Sequence, residues 1–346
     1  MPNIFEAKIT ARNIRRVWEA DENREPYLGE VFFPATSQLG LELNLIKGKQ
    51  GLPVALVSAN WDTDVLYRDR IGFESLQAEL PFFKEAYKIS EKLRQQILTV
   101  QDQYRGAYFT EIFNDVADLI DGADVTVERM RMQLIGTGTV SIQENGVDKQ
   151  YDYGFDTEKQ LATEKTLWSA SDATPYKSFM ARLKNHKKVT KKTPKYVVMN
   201  TDVFDALAQD KDITDYFAKL ATPVLYPSDK DIKNFLERTA QVTIFVNDKE
   251  YVKARDKSKT PVPFYPQDRY TILSSIDLGE TVYGTTPEAI DLLNGESNIL
   301  SGEVLGEGVT LTVWKETDPV CVNTKVSEVV APSCPAIDTI TIVKVF

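Results

Sequence analysis

His186 is the first residue to weigh, because imidazole is the usual proton carrier at neutral pH and the chain has a single histidine. It stands in LKNHKKVTKKTPK, and such charged company predicts a solvated surface side chain. A Ser-His-Asp arrangement built on it would lack the Gly-x-Ser-x-Gly turn that presents a nucleophile. Cys321 and Cys334 have no adjacent histidine and no zinc-type spacing, so reduced thiols are expected. The pairs and triplets Asp62/Asp64, Asp210/Asp212/Asp215 and Asp229/Asp231 lack the glycine and closing glutamate of a calcium loop. They are expected to cap helices and solvate turns. GTGTV (136–140) and GEVLGEGV (302–309) match neither the phosphate loop nor the dinucleotide fingerprint. The chemistry-bearing residue types therefore predict no catalytic site, no metal and no cofactor.

Two other groups could serve contact instead of catalysis. The lysine-rich run Lys184–Lys195 suits an acidic neighbour or packaged nucleic acid. Without interleaved aromatics it has no platform for stacking bases, and a mobile loop between a helix and a strand is the preferred reading. Trp61 and the aromatic pairs Phe32-Phe33 and Phe82-Phe83 are expected to anchor subunit contacts. Trp168 is expected in a core.

The elements that would carry these residues are unequal. Residues 1–50 read as an arm that closes no core, with Thr10 capping a short helix through Ile14, Val17 and Trp18. Residues 53–89 alternate like two strands, yet Asp62, Asp64, Arg68, Asp69 and Arg70 fill their centre. A bare two-stranded arm is marginal in water and needs a partner to cover it, and an exposed edge invites another chain. The expected partner is another copy. Next come a helix opened by Ser90 and a second over about 106–120, interrupted at Asp121-Gly122. A third, capped by Asp124, ends at Gly136. Asn145-Gly146 between two alternating runs marks a hairpin. Residues 160–295 alternate helix and strand, with Thr201 or Asp202 as one cap, and strands return at 303–315 and 339–346.

The 346 residues have room for two or three lobes. The net charge of −10 disfavours a protein that binds nucleic acid by neutralising phosphates. The N-terminus lacks the apolar core of a signal peptide, and no apolar run is long enough to span a bilayer. Synthesis in the cytoplasm and no membrane partner are expected.

The order of arm, two-stranded loop, long helix, Asn-Gly hairpin, α+β lobe and returning strands resembles the major capsid proteins of tailed bacteriophages. The likeness is to the lambda-type major head protein family, capsid protein E, with the Hong Kong 97-type fold. It is carried by GLPVALVSANWDTDVLYR, ERMRMQLIGTGTVSIQENGVDKQYDYGF, TLWSASDATPYKSFMARL, YVVMNTDVFDAL and VSEVVAPSCPAIDTITIVKVF. The resemblance implies an α+β fold with an N-terminal arm (1–52), an extended E-loop (53–89), a peripheral domain with spine helix and hairpin (90–159, completed near 303–330) and an axial domain (160–300, completed by 331–346). Within the E-loop and beside it, the intersubunit candidates are Trp61, Arg68, Asp69, Arg70, Phe73, Phe82 and Phe83.

The function implied is a non-enzymatic virion protein assembling as hexamers and pentamers into an icosahedral head around double-stranded DNA, bound without sequence preference. Because the chain opens directly on the arm, a separate scaffolding protein or a trimmed precursor is implied. A portal and a decoration protein complete the expected partners. The alternatives are an encapsulin-like shell around a cargo enzyme and a cytosolic enzyme.

Overall fold

The computed structural model describes residues 8–20, 25–47, 74–144, 146–219, 227–253, 258–295 and 299–346. It divides into two compact units. One comprises Met1–Leu43, Gln77–Arg131 and Glu280–Ser333; the other comprises Asn44–Leu76, Met132–Gly279 and Cys334–Phe346.

The first unit is built on the strand Val320–Ser333. It runs antiparallel to Val309–Thr317, which in turn pairs with Ile299–Leu305. On the opposite side of Val322–Val329 lies Phe82–Ile89, and Glu280–Gly284 pairs with the last residues of the long strand. Ala35–Ser37 adds a parallel strand to Glu280–Gly284. Phe82–Ile89 was expected in the arm but is a member of this sheet. Pro81 separates it from Glu74–Glu79, which among the described residues pairs only with Glu42–Lys47. A proline cannot donate to the ladder, so the strand breaks there.

Residues 8–20 and 25–37 close part of this core, contrary to the expectation of a coreless arm. Ile9, Ala11, Ile14, Phe32 and Phe33 are at most 1% exposed. The Ala11 amide donates to Ser301 Oγ at 3.0 Å. Phe32 and Phe33, expected at subunit contacts, are instead buried within the chain's own unit. The cap was legible: Thr10 accepts from the Asn13 amide at the start of the helix Ala11–Glu19.

Asp102–Thr137 is one helix of 36 residues, without the break expected at Asp121-Gly122. At 1.5 Å per residue it is about 54 Å long. Phe109, Ile112, Val116, Ile120, Ala123, Val127, Met130 and Leu134 form one buried face at spacings of three and four. Gly122 lies on the exposed face, where a mid-helix glycine costs only about 1 kcal/mol. Asp121 accepts from the Trp18 indole at 3.0 Å and so is used without ending the helix. Asp124 is mid-helix and caps nothing. The helix stops at Gly138, whose φ of +78° belongs to the left-handed region.

In the second unit, Thr139–Glu144 and Val147–Asp152 form the expected hairpin. Gly146 turns with φ +79°; Asn145 lies outside the described residues. A five-stranded sheet follows, in the order Leu161–Thr163, Ile340–Lys344, Arg269–Leu273, Tyr196–Met199 and Thr243–Val246. The last two strands are parallel to each other. The strand Thr243–Val246 ends before Asn247, and Glu250–Val252 pairs separately with Pro261–Pro263.

The helices Pro175–Thr190, Thr201–Ala208, Lys211–Ala218 and Asp229–Ala240 accompany this sheet. Its core includes Phe179, Leu183, Phe204, Leu236, Ile272 and Val343. Trp168 is buried as expected, stacked on Tyr270 with centroids 5.6 Å apart. Among the described residues no helix is long and apolar enough to cross a membrane.

Candidate assembly surfaces

Trp61, Arg68, Asp69, Arg70 and Phe73 lie outside the described residues. Phe82 and Phe83 begin the strand Phe82–Ile89, opposite Val329 and Glu328. Phe82 is 40% exposed and carries Lys84 over its ring at 5.2 Å. Phe83 is half-buried. Among the described residues this strand has no second strand partner, and most of its side chains are exposed. Lys84 and Lys88 oppose indiscriminate pairing along such an edge.

His186 is fully buried, which corrects the surface expectation. It occupies the same helical face as Phe179 and Leu183, while Lys184, Lys187 and Lys188 point to solvent. Its Nδ1 lies 2.8 Å from Thr341 Oγ1 and its Nε2 2.7 Å from Ser274 Oγ. Neither partner is charged. Burial lowers the pKa from 6.5 to about 4, so the ring is neutral at pH 7 and ties helix to sheet. No carboxylate orients it as a base would require.

A buried polar cluster in the first unit escaped sequence reading. Glu128 and Arg131, one turn apart on the long helix, are 1% and 4% exposed. Glu128 accepts from the Gly29 amide at 3.0 Å, and Arg131 donates from Nε to Thr281 Oγ1 at 2.8 Å. The Thr281 hydroxyl in turn donates a hydrogen bond to the Phe33 carbonyl at 2.9 Å. Glu328 is 1% exposed, and neither carboxyl oxygen has a hydrogen-bond partner among the described residues. Burial, then Asp124, pushes its pKa well above the ordinary value, with Arg131 opposing. Burial thus favours the neutral form of its carboxyl. A cavity of about 280 Å³ in the same unit is lined by Trp18, Glu30, Asp124, Arg131, Tyr283 and Glu307. The detectable signal was Glu128 directly after buried Val127 and Arg131 between buried Met130 and Met132.

Asp62 and Asp64 lie outside the described residues, whereas Asp210 and Asp231 act at helix starts. Asp210 accepts from the Asp212 amide, and Ser228 with Asp231 forms a reciprocal capping box. The cap of Thr201–Ala208 is Asn200, whose side chain accepts from Val203, in place of the expected Thr201 or Asp202. Cys321 and Cys334 are unpaired with each other and buried, and burial pushes the Cys334 thiol up to about 12. Lys184–Lys195 is no simple loop: its first half is helix through Thr190, and Lys191 caps it with a left-handed φ of 59°.

None of these arrangements pairs a nucleophile with a base. What the chain presents to a partner is an open strand edge, a two-stranded hairpin and charged helix ends. Two solved structures share its fold. A protein described as the capsid protein of an E. coli CFT073 prophage aligns with a TM-score of 0.61 at 13% identity, covering 98% of this chain and 99% of that one. A phage-related protein from Bordetella bronchiseptica RB50 aligns at 0.57 and 10% identity, covering 97% of each. No curated protein sequence matches. The α+β architecture is that of the Hong Kong 97-type capsid fold. The family pattern described as phage major capsid protein E matches residues 10–345, and the chain therefore belongs to that lambda-type family of structural, non-enzymatic virion shell proteins.

Proposed function

We propose that this chain forms hexamers and pentamers that close into an icosahedral head around double-stranded DNA. The observation that carries the reading is the hairpin of Glu42–Lys47 and Glu74–Glu79, which pairs with no other strand among the described residues. Such a unit is marginal in water until something covers it. In a shell, a neighbouring copy is always present to do so. Trp61, Arg68, Asp69, Arg70 and Phe73 belong to the segment between these two strands, and they make the intersubunit contacts together with Phe82 and Phe83. A scaffolding protein directs closure, a portal occupies one vertex, and a decoration protein can bind the outer face. The chain is made in the host cytoplasm. A net charge of −10 keeps the wall from adhering to the genome it surrounds.

The test is removal of residues 48–73, joining Lys47 to Glu74 by a short linker. This leaves Phe82–Ile89 in its sheet. The expected product is folded subunits that form no closed shells by sedimentation and electron microscopy. Normal shells from the deleted chain would refute the role given to this segment.

A further inference from the structure

We propose that two oppositely charged surfaces at the two ends of the five-stranded sheet meet between neighbouring copies and set the head-to-tail contact within each ring. One surface is Lys184, Lys187, Lys188, Lys191 and Lys195; the other is Asp202, Asp229 and Asp248. The inference rests on the shell reading above and deepens it by naming a contact.

The topology places the two surfaces. Lys195 directly precedes the strand Tyr196–Met199, and its amide bonds the Leu273 carbonyl at 2.9 Å. His186 fixes the end of the lysine-bearing helix to Ser274 and Thr341, beside the same end of the sheet. Asp202 follows that strand at its other end, in the first turn of Thr201–Ala208. Asp248 follows the parallel strand Thr243–Val246 at the same end, bonding the Thr201 amide at 2.7 Å. Asp229 opens the helix that leads back to the start of that parallel strand. Four residues of strand thus separate the surfaces by roughly 13 Å.

Both surfaces are uncompensated. The five lysines are exposed, and among the described residues none has a carboxylate partner. Elsewhere on the same helix Lys177 pairs with Asp212 at 3.1 Å and Arg182 with Glu164 at 2.7 Å. Asp202, Asp229 and Asp248 are exposed and have no basic partner among the described residues. Asp205 lies among them; burial first, then Asp229, Asp202 and Asp248, push its pKa up. Helix dipoles favour lysines at a C-terminus and aspartates at an N-terminus, but they do not supply counter-ions.

Ring symmetry supplies the partner. A closed ring of identical subunits uses a heterologous contact, so every copy must carry two different patches that fit each other. This chain carries one of each sign, at opposite ends of one sheet. Nucleic acid would engage the lysines and leave the aspartates unanswered.

The experiment expresses the full chain with its head-assembly partners and scores sedimentation and electron microscopy. Lys187→Glu with Lys188→Glu should reduce shell yield about ten-fold or more, because like charges then face each other. Asp202→Lys with Asp229→Lys should do the same. Combining all four changes should return yield to within about three-fold of the unaltered chain, since the pair is restored with its signs exchanged. Circular dichroism of each unassembled variant separates misfolding from failed contact. An equimolar mixture of the two defective variants can alternate around an even ring, so it should give six-membered rings and no five-membered ones.

Wild-type yield from either reversed pair overturns the inference while leaving the shell reading intact, as does failure of the four-fold variant to recover. Normal shells that lose only their DNA would assign the lysines to the genome and also overturn it. If the unaltered chain forms no shells, both readings fall.

Discussion

Lowering the pH should weaken the fold through His186, and the size of the effect can be worked from its burial. The ring is fully buried between two hydroxyls and holds its pKa near 4, against 6.5 in the unfolded chain. Between these values the unfolded state binds a proton that the folded state refuses. Stability attributable to His186 is therefore complete above pH 6.5 and lost as the pH falls toward 4. Linkage gives a loss of about 2 kcal/mol at pH 5 and at most about 3 kcal/mol below pH 4. The assay is urea unfolding of the unassembled subunit between pH 7.5 and 5, with His186→Gln measured in parallel. The substitution costs stability at every pH, through packing and hydrogen bonds, but removes the titration. The difference between the two chains should therefore shrink by about 2 kcal/mol on going to pH 5.

Using the difference matters because Glu328 pulls the other way. Its pKa is raised, so it favours the fold at low pH and loses that contribution as pH rises above its unfolded value. Being the lone histidine, His186 can also be followed directly by its ring proton resonance. Parallel pH curves for the two chains, or a ring that titrates near 6.5 in the folded subunit, would refute the reasoning.

Glu328→Gln puts a neutral isostere where burial raises the carboxyl's pKa, so it should stabilise the subunit more at pH 8 than at pH 6, read from urea midpoints. Gly29→Ala places a methyl against Glu128 and within 2.7 Å of Arg131 Cδ, both on buried side chains. The expected cost is about 1–3 kcal/mol in the same assay, and an unchanged midpoint would show that the cluster yields.

Local signals were legible and tertiary ones were not. Thr10, Ser90 and Gly146 act within a few residues, and each does in the structure what its type and position suggested. Asp121-Gly122 carried an equally local signal that lost. Eight buried side chains along one face of the long helix outweigh one exposed glycine. His186 was misread because its neighbours in sequence are lysines, whereas its neighbours in space are Phe179, Leu183 and two hydroxyls. Counting at three and four from Phe179 would have placed it inward. Phe32-Phe33 and the cluster of Glu128, Arg131 and Glu328 needed segments hundreds of residues apart to be brought together. No periodicity encodes that.

The base of the arm shows how a hairpin marginal alone can still be aimed. The Leu80 amide bonds the Leu41 carbonyl at 2.9 Å, and the Pro81 carbonyl accepts from Val330 at 3.2 Å. Leu80 is 3% exposed and packs toward Gly284. A methyl on Gly284 would stand 2.7 Å from the Gly40 carbonyl, so a side chain there would force the two backbones apart. The two strands are thus tied together at their base by the Leu80–Leu41 hydrogen bond, and Leu80 anchors that base by its burial. Fixing that base in the free subunit removes part of the ordering cost that a neighbour would otherwise have to meet on contact. A tether of this kind favours assembly over random edge pairing, because the hairpin reaches only partners positioned where the base directs it. The division follows from Pro81. On one side of it the chain belongs to a packed sheet, and on the other lies the hairpin that the proposed function assigns to a neighbouring copy.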